Sequence, residues 1–563
     1  MYTIRSLLGI SFIPIVLCLP NLVWAEQGTS QQNPTQLSQA HLETLPVNSQ
    51  LAEGRSLFMT GLSKDGSPIT AVSQGQPLSG ELFACVNCHR HSGLGTSEGG
   101  YQVPDITGPT LFSPIEVKQR ELYAERTEGF YTRPAYTRES LRTAITHGIS
   151  TNGNTFSKVM PRYQLSQSQA DALIDYLSTL DYSNPPGVSA DNLQLATIVT
   201  EGTSKEKKLA LINTLNQFFK EKNAQTRHEV RRVKYSPWHK DWHYDNYRHW
   251  QLNTWELNGD PSTWQAQLQR YYDANPVFAV VGGTSHLGWN PISSFCEAEK
   301  LPCLFPDTDL PPSKPGHYSI YFSAGMSLEA RRIIHFLKKN LQYDKVIQIT
   351  GKDPRGAVAT EELQKRISKL QNRITFEKLA FSELLNTPTR ILENSARNLY
   401  VLWLTEAELK HWPTGIDISK SRTILSSTLL DRRFNQIPGR LSQTSWLAHP
   451  YSLPGDSGRR IRSKAWIYAR KIVTPYDKLQ SNTYLALSVL TESMMHIRSN
   501  FSQDYLIERI EHMLENSPET SVYQRLSLAP GQRFASKGSY LIPLTEVNVS
   551  PKIARQYWAV PEL

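Results

Sequence analysis

Hydrophobic and polar positions follow two different patterns along the chain. Up to about residue 181, short apolar runs alternate with long polar loops, and the clearest element is a helix that begins after Ser166. From Leu193 onward, strand-like runs alternate with helical stretches. These runs are Leu193–Val199, Lys207–Lys220, Thr263–Ala274, Val277–Gly282, Leu328–Asn340, Val346–Thr350 and Ala359–Leu370. Such alternation predicts βαβ units, with a parallel sheet that helices cover on both faces.

Two stretches rich in turn-forming and polar residues divide the chain. Residues 26–49 are rich in Gln, Ser, Thr and Asn, which predicts a flexible lead-in. Residues 182–192 contain Pro185-Pro186-Gly187, which stops a helix and predicts a linker. We therefore expect a first domain over residues 50–181 and an α/β domain over residues 193–563. The second is long for a single sheet, so two lobes are expected.

Composition excludes several classes of protein. The chain has 563 residues, of which 39% are hydrophobic, so a disordered chain is excluded. Mean hydropathy is -0.42, and no long apolar span occurs in the body of the chain, which argues against an integral membrane protein. The net charge is +9, and no nucleic-acid-binding motif accompanies the basic residues, so no nucleic-acid partner is expected.

Residues 1–25 have the pattern of a secretory signal. Arg5 supplies a positive charge, an apolar run extends from Leu7 to Val23, and Ala25 is the small residue at the expected cleavage point. The alternative is an uncleaved membrane anchor. Cleavage predicts a periplasmic protein with no membrane span. Cys18 would leave with the signal, and the mature chain would keep four cysteines: Cys85, Cys88, Cys296 and Cys303.

The pentapeptide Cys85-Val86-Asn87-Cys88-His89 carries the most specific chemistry in the sequence. Two thiols three residues apart fit thioether bonds to the two vinyl groups of haem, and the adjacent imidazole fits an axial bond to the iron. A disulfide and half of a zinc site are the alternatives. Since a zinc site needs further Cys or His ligands nearby, the motif favours one covalent haem c.

The surroundings of this motif resemble the class I cytochrome c family. Met160-Pro161 precedes a C-terminal helix that Ser166 and Gln169 would begin with a capping box. Gly54 and Phe58 stand where that family packs a glycine and an aromatic ring against the last helix, here at Leu173 and Tyr176. The resemblance covers residues 50–181, and it implies an all-α fold. The long stretch Thr110–Tyr136 departs from the family.

The same resemblance implies that His89 and Met160 are the two axial ligands of the haem iron. Competing sixth ligands are His91, His147 and Met59. An iron saturated from both sides passes electrons and leaves no position for a substrate, so the implied function is one-electron transfer.

The larger domain resembles the type 1 periplasmic solute-binding family, which is Leu/Ile/Val-binding-like. The strand Val277–Val281 is followed by Gly282–Ser285 and a helix over Pro291–Lys300. A second strand, Leu301–Pro306, leads into Asp307-Thr308-Asp309, and Val346–Thr350 opens a second lobe. The resemblance implies two hinged α/β lobes that bind a small polar molecule in the cleft between them.

Four residues are candidates for the ligand cleft. Backbone N–H groups from Gly283 to Ser285, at the start of a helix, would attract an anion, with hydroxyl groups of Thr284 and Ser285 adding hydrogen bonds. Asp307 or Asp309 could meet an ammonium group. Alternatively, the glycines make a tight turn, a hydroxyl caps the helix, and the aspartates start a loop. The domain would then be a docking scaffold.

Two further features carry candidate chemistry. Cys296 and Cys303 are seven residues apart, and in an oxidising compartment we expect a disulfide worth about 2 kcal/mol, with free buried thiols as the alternative. In the segment Trp238–Trp250, His239 and His243 would share a helix face, and Asp245 or His249 could complete a metal site. An amphipathic insertion that covers the cleft or faces a partner is equally compatible.

These features together predict a periplasmic monohaem c-type cytochrome with an appended solute-binding-like domain. The expected partner is a redox protein, either a dehydrogenase or a respiratory-chain component. Two alternatives remain: a solute-binding receptor whose haem reports or tunes binding, and an oxidoreductase subunit that acts on a molecule held in the cleft.

Overall fold

The computed structural model describes residues 49–98, 101–115, 133–235, 248–370, 374–386, 392–434, 437–455, 461–473, 476–497, 500–516, 521–549 and 551–562. Gln50–Leu563 form one compact unit. Among the described helices, none combines the length and the apolar composition that a membrane crossing needs. The predicted signal and almost all of the lead-in lie outside the described residues, as do His239, His243 and Asp245.

The N-terminal part combines short helices with small antiparallel sheets. Its elements are α1 (Ser49–Thr60), β1 (Thr70–Ser73), β2 (Gln76–Ser79), α2 (Val86–His89), β3 (Thr96–Glu98), β4 (Tyr101–Val103), α3 (Gly108–Phe112), α4 (Arg138–His147), β5 (Arg162–Gln164) and α5 (Gln167–Ser178). Strand β1 pairs with β2 and β5, and β3 pairs with β4. The expectation of an all-α domain is therefore wrong, because these strands of three or four residues are too short to show an alternating pattern.

Helices α1 and α5 pack closely, as expected from their residues. A Cβ atom added at Gly54 would lie 2.0 Å from the carbonyl oxygen of Ala172, so only glycine permits this approach. The rings of Phe58 and Tyr176 lie 5.3 Å apart, centroid to centroid. The predicted capping box is confirmed, since Ser166 accepts a hydrogen bond from the backbone N–H of Gln169, and the Gln169 side chain accepts one in return.

The next stretch of the chain builds a parallel sheet with helices. Its elements are β6 (Asn192–Thr200), α6 (Lys205–Tyr235), β7 (His249–Leu257), α7 (Trp264–Ala274), β8 (Ala279–Val281), α8 (Asn290–Ala298), β9 (Cys303–Leu304) and β10 (Ser319–Ser323). Almost every residue of β6, β8 and β10 is buried, which is typical of a parallel sheet covered on both faces.

A second α/β layer follows. Its elements are α9 (Met326–Lys339), β11 (Lys345–Thr350), α10 (Pro354–Ile367), β12 (Thr375–Ala380), α11 (Phe381–Asn386), β13 (Asn398–Trp403), α12 (Glu406–Leu409), β14 (Arg422–Ser426), α13 (Gly439–Ser442) and β15 (Ser445–His449). Asp353 caps α10 by accepting a hydrogen bond from the backbone N–H of Arg355, and Pro354 occupies the first turn.

The chain then returns to the first sheet and crosses back once more. The returning elements are α14 (Ile461–Ala469), α15 (Asp477–Ile497), α16 (Gln503–Asn516) and β16 (Phe534–Ser536). The final elements, β17 (Ser539–Pro543), α17 (Pro551–Ala554) and β18 (Trp558–Ala559), rejoin the second layer.

Strand order shows two lobes. The described strands of the first sheet run β16-β10-β9-β8-β6-β7, all parallel. Those of the second run β12-β11-β13-β14-β15-β17-β18, and only β17 and β18 are antiparallel to their neighbours. The chain passes between the sheets after β10, after β15 and after β16. The predicted two-lobed α/β architecture is confirmed.

Candidate functional site

The cysteine and histidine side chains of the haem motif sit on one short helix. The backbone N–H groups of Cys88 and His89 both donate to the carbonyl oxygen of Cys85, at 3.2 and 2.8 Å. This turn places Cys88 and His89 three and four residues beyond Cys85, on the same side of the helix. The sulfur atoms of Cys85 and Cys88 are not joined in a disulfide.

His89 is held in the form that a metal requires. Its side chain is buried, and Nδ1 lies 3.0 Å from the carbonyl oxygen of Pro104. Since a carbonyl only accepts hydrogen bonds, Nδ1 carries the proton, and the lone pair of Nε2 is left for another partner. Burial lowers the pKa of His89 to about 4, against the opposing effect of the Pro104 hydrogen bond, so the ring is neutral at pH 7.

Met160 lies on the segment that joins this motif to α5. The residue is half-buried and precedes β5. Within β5, the Tyr163 hydroxyl donates a 2.7 Å hydrogen bond to the carbonyl oxygen of Phe83, two residues before Cys85. Arg162 braces the same segment by donating to the carbonyl oxygens of Phe156 and Met160. The strand that follows Met160 is thus fixed to the chain that precedes the motif.

The alternative sixth ligands have other surroundings. His91 stacks on His317 of the first lobe with ring centroids 3.9 Å apart. His147 is exposed and its Nδ1 lies 2.7 Å from the Thr146 hydroxyl. Met59 packs against the hydrophobic core of the N-terminal part. The thiols of Cys85 and Cys88 and the Nδ1-bonded His89 are compatible with attachment of haem c, and the role of Met160 as the second ligand stays a prediction.

The N-terminal part contacts the first lobe through residues that sequence analysis missed. Ser92 donates from its backbone N–H and its hydroxyl to the two carboxylate oxygens of Glu508, each at 2.8 Å. The Tyr182 hydroxyl donates to the carbonyl oxygen of Ser92 at 2.7 Å. Burial, together with Asp504, raises the pKa of Glu508 to about 8. No local pattern marks this contact, because Ser92 and Glu508 are separated by 416 residues.

A cluster at the same contact resembles a metal site but is better explained by hydrogen bonds. The ligand atoms of His91, His317 and Asp504 lie within 4.8 Å of one another. However, the Arg533 guanidinium donates to Nδ1 of His317 at 2.8 Å. The proton of His317 is therefore on Nε2, which lies 3.2 Å from the Asp504 carboxylate and has no lone pair for a metal.

The turn after β8 is separate from the helix that follows it. Helix α8 begins at Asn290, one residue before the predicted Pro291, so the backbone N–H groups of Gly283 to Ser285 do not form its N-terminus as the expected anion site required. Gly283 has φ +102°, and an added Cβ atom would lie 2.7 Å from the carbonyl oxygen of Ile198. The backbone N–H of Thr284 donates to that same oxygen. The glycines make a tight turn, as the alternative interpretation held.

The four predicted cleft residues lie at the carboxyl edge of the first sheet. Thr284 bridges Val199 on one side and Asp307 on the other. Thr284 and Ser285 are buried, and the Ser285 hydroxyl accepts a hydrogen bond from the backbone N–H of Leu287. In open parallel sheets, ligands bind outside the carboxyl ends of the strands. Thr284, Ser285 and Asp307 therefore lie together at this edge, and their role in binding a ligand stays a prediction.

The two aspartates already have cationic partners within the chain. Asp307 lies 2.9 Å from Nζ of Lys207 and 3.4 Å from Nζ of Lys478. Asp309 lies 2.8 Å from Nζ of Lys478 and 2.9 Å from Nη1 of Arg355. Burial opposes ionisation of Asp307, but the two lysines outweigh it and hold its pKa well below the ordinary value.

The second lobe contributes Arg355 and a set of buried polar groups. Arg355 lies in the first turn of α10, just past the carboxyl end of β11, and also binds Asp353 at 2.8 Å. Glu329 accepts hydrogen bonds from the backbone N–H and the hydroxyl of Thr428. Burial raises the pKa of Glu329 to about 7. The Asp309–Arg355 pair therefore joins the carboxyl edges of the two sheets.

A cavity of about 520 Å³ lies in the second lobe, and its lining includes none of the four predicted cleft residues. Arg432 in its wall lies 5.7 Å from the ring centroid of Tyr451, and Nζ of Lys478 lies 5.6 Å from the same centroid. The cavity combines two guanidinium groups with apolar walls. Its lining residues are Arg432, Arg433, Phe434, Ser442, Pro454, Leu544, Thr545, Val547 and Asn548.

The predicted disulfide between Cys296 and Cys303 is present and joins α8 to β9. It is far in sequence from the haem motif and close to the strand that leads into Asp307 and Asp309. Its place supports a role in fixing that strand against the helix.

Comparison with known proteins shows similarity to solved structures only. No protein-family model matches the chain, and no curated protein matches it. A leucine-binding protein from Thermotoga maritima is 12% identical, with a TM-score of 0.40, and the match covers 62% of this chain and 95% of that one.

Two further solved structures give the same picture. A fatty acid ABC transporter substrate-binding protein from Thermomonospora curvata is 13% identical, with 67% and 93% of the two chains covered and a TM-score of 0.41. A solute-binding protein of an ABC transporter from Rhodopseudomonas palustris, in complex with 3,4-dihydroxy benzoic acid, is 12% identical, with 62% and 92% covered and a TM-score of 0.43. These TM-scores are too low to support an argument about the fold. The evidence for two lobes is therefore the strand order described above.

Proposed function

We propose that this chain is an exported two-lobed receptor for a small solute, with one covalent haem c on its N-terminal part. The observation that supports the receptor function is the ion pair between Asp309 of the first lobe and Arg355 of the second, at 2.9 Å. It brings the carboxyl edges of two parallel sheets together, which is where ligands bind in such sheets. A cavity of about 520 Å³ in the second lobe is large enough for a small molecule.

The three chain crossings supply the hinge. The connections after β10 and β16 are short, residues 324–325 and 537–538, and the chain crosses a third time after β15, through residues that the structure describes only in part. Each lobe has its own hydrophobic core, so the lobes can rotate against each other without disrupting packing. A solute that contacts both edges would bind the closed state preferentially and shift the population toward it.

Thermal denaturation with a panel of small solutes tests the receptor function. The mature protein is first unfolded and refolded to remove any solute that was bound during expression. We expect at least one class of small polar solute to raise the melting temperature in a concentration-dependent way. A panel of acids, amino acids, sugars and alcohols that leaves the melting temperature unchanged at millimolar concentration would contradict the receptor function.

The haem motif supports a second candidate function, one-electron transfer to or from a redox partner protein. Its specific support is the Nδ1–Pro104 hydrogen bond, which leaves Nε2 of buried His89 available as a ligand. Cys85 and Cys88 would hold the porphyrin, and Met160 would complete the coordination. Bound haem c supplies a reversible one-electron couple. What the chain itself provides is a neutral imidazole, two thiols and exclusion of water from His89.

The Met160→Ala variant tests this assignment. We expect the exported variant to keep its covalent pigment but to acquire binding of added imidazole, which changes the visible spectrum. His147→Ala is the matched control, because this exposed ring is outside the proposed ligand set, and its spectrum should equal that of the wild type. A spectrum of Met160→Ala that is insensitive to imidazole would contradict the distal role of Met160.

A further inference from the structure

The positive group nearest to both cleft aspartates belongs to the protein itself. Lys478 lies at the start of α15, and its Nζ contacts Oδ1 of Asp309 at 2.8 Å and Oδ1 of Asp307 at 3.4 Å. The lysine side chain is 17% exposed, and those of Asp307 and Asp309 are 8% and 15% exposed. This ammonium group is largely removed from water and held by two carboxylates.

An aromatic ring completes the surroundings of this ammonium group. The ring centroid of Tyr451 lies 5.6 Å from Nζ of Lys478, within the range of a cation–π contact. Tyr451 is itself buried against Tyr523, with ring centroids 5.4 Å apart. Carboxylates and an aromatic face are the groups that proteins use to bind a ligand ammonium. The position predicted for a ligand ammonium is therefore filled by Lys478.

The remaining charges favour an anion beside this position. Arg432 lies over the same Tyr451 ring and lines the cavity with Arg433. The Nε atom of Arg432 is buried without a hydrogen-bond partner among the described residues, and Nη2 lies 3.8 Å from Oδ2 of Asp477. Asp431 and Arg432 both have positive φ, 47° and 60°, a backbone conformation that is uncommon for residues other than glycine.

The rest of the cavity wall is apolar or neutral. Phe434, Pro454, Leu544 and Val547 would contact a hydrocarbon skeleton, and Thr545 and Asn548 offer hydrogen bonds. Two guanidinium groups, those of Arg432 and Arg433, in the wall of an otherwise largely apolar cavity fit a carboxylate with an apolar body.

We propose that Lys478 permanently occupies the ammonium position of the cleft, and that the solute is a small carboxylic acid with an apolar skeleton and no ammonium group. This inference rests on the proposed receptor function. Within it, the carboxylate of the solute meets Arg432, and amino acids are excluded because their ammonium group has no free anionic partner. A bound amino acid would bury an ammonium group without an anionic partner, and this cost lowers its affinity relative to that of the acid.

The test uses the full-length mature protein and a matched series on one carbon skeleton: 4-methylpentanoic acid, 2-hydroxy-4-methylpentanoic acid, leucine and isopentylamine. A second series on a phenyl skeleton covers aromatic acids. We expect the acid and the hydroxy acid of at least one series to bind in calorimetric titrations, with the amino acid at least about tenfold weaker and the amine not bound. Preferred binding of leucine, phenylalanine or an amine would overturn the proposal, and so would a failure of both series of acids.

Two variants separate the parts of the proposal. Arg432→Gln should weaken binding of the acid about tenfold or more, whereas Arg397→Gln, an exposed arginine paired with Asp344, should leave it unchanged. Lys478→Ala leaves space between the two aspartates, so ethylammonium should raise the melting temperature of this variant and not of the wild type.

The outcomes distinguish this inference from the receptor function. If other solutes bind but no acid does, the receptor function stands and the solute class proposed here is wrong. If no solute binds at all, the receptor function itself fails, and ethylammonium still decides whether Lys478 occupies an ammonium site. If Lys478→Ala does not fold, the two series with the wild-type protein decide the solute class alone.

Discussion

The haem motif and the charged cluster between the lobes differ in how far apart in sequence their interacting residues lie. In the N-terminal part, the candidate ligand and its supporting hydrogen bond come from His89 and Pro104, 15 residues apart. In the cleft, Asp309 is neutralised by Lys478 and Arg355, which are 169 and 46 residues away. A sequence motif therefore identifies the first site directly, while the second exists only after the lobes have folded around it.

Removing both thiols of the motif should have the largest effect. The double variant Cys85→Ser, Cys88→Ser loses both attachment points, so we expect complete loss of covalently bound haem from the exported protein. Denaturing gel electrophoresis with haem staining measures this. The control is the double variant Cys296→Ser, Cys303→Ser, which should keep its stain. Staining of the first variant equal to that of the wild type would show that the haem is attached elsewhere or not covalently.

Breaking the ion pair between the lobes should have the next largest effect. Arg355→Ala leaves the buried Asp309 and Asp353 carboxylates with one partner fewer, and we expect a loss of about 2 to 4 kcal/mol in the free energy of unfolding. Denaturant titration followed by tryptophan fluorescence measures it. Lys410→Ala, which removes an exposed pair with Glu406, is the control and should cost less than about 0.5 kcal/mol. Equal losses of unfolding free energy in both variants would show that the ion pairs of Arg355 stabilise the fold no more than the pair of Lys410 does.

The disulfide should contribute less. Cys296→Ser with Cys303→Ser opens a short loop, and the entropy of the unfolded chain predicts a loss of about 2 kcal/mol, with unchanged haem staining. Comparing the melting temperature of the wild type with and without reductant provides an independent check. A haem spectrum that changes in this variant would mean that the haem motif in the N-terminal part is coupled to α8 and β9 of the first lobe.

The contact between the N-terminal part and the first lobe, through Ser92 and Glu508, should produce the smallest effect. This effect is a dependence of the free energy of unfolding on pH. The pKa of Glu508 in the folded protein, about 8, is above its ordinary value of 4.5. Between these values the folded state holds a proton that the unfolded state has lost, so stability falls as pH rises from about 4.5 to about 8. Asp504 strengthens this shift and Arg90 opposes it.

Glu508→Gln should remove this part of the pH dependence, because the neutral amide keeps the place of the protonated acid. Melting temperatures measured from pH 4.5 to 8.5 on both proteins provide the comparison. A variant whose melting temperature falls with pH as steeply as that of the wild type would show that Glu508 does not carry the effect.

Local signals predicted local structure well. The capping box of Ser166 and Gln169 and the disulfide were identified from residues near one another in sequence, whereas the close approach at Gly54 followed from the family resemblance. Alternation of strand-like and helical runs predicted the two parallel sheets, because each run is long enough to show its period.

The sequence could not predict features that depend on distant residues or very short elements. Strands β1, β2 and β5 have only three or four residues, so their pattern is not distinguishable from that of a loop. The start of α8 was predicted to within one residue, but the sequence did not show that Gly283 to Ser285 form a separate turn before this helix. Lys478 gave no signal, since its partners are defined by packing of α15 against the first lobe.

Native mass spectrometry of the mature protein tests most directly whether the chain carries one covalent haem and binds a small acid reversibly, because it detects covalent and non-covalent ligands in one experiment. We expect the denatured protein to keep a mass increase equal to one haem. We expect the native protein to carry a small acid in addition, either as purified or after the acid is supplied, and to lose it on denaturation. A denatured mass equal to that of the bare polypeptide, together with a native protein that takes up no solute, would contradict both expectations.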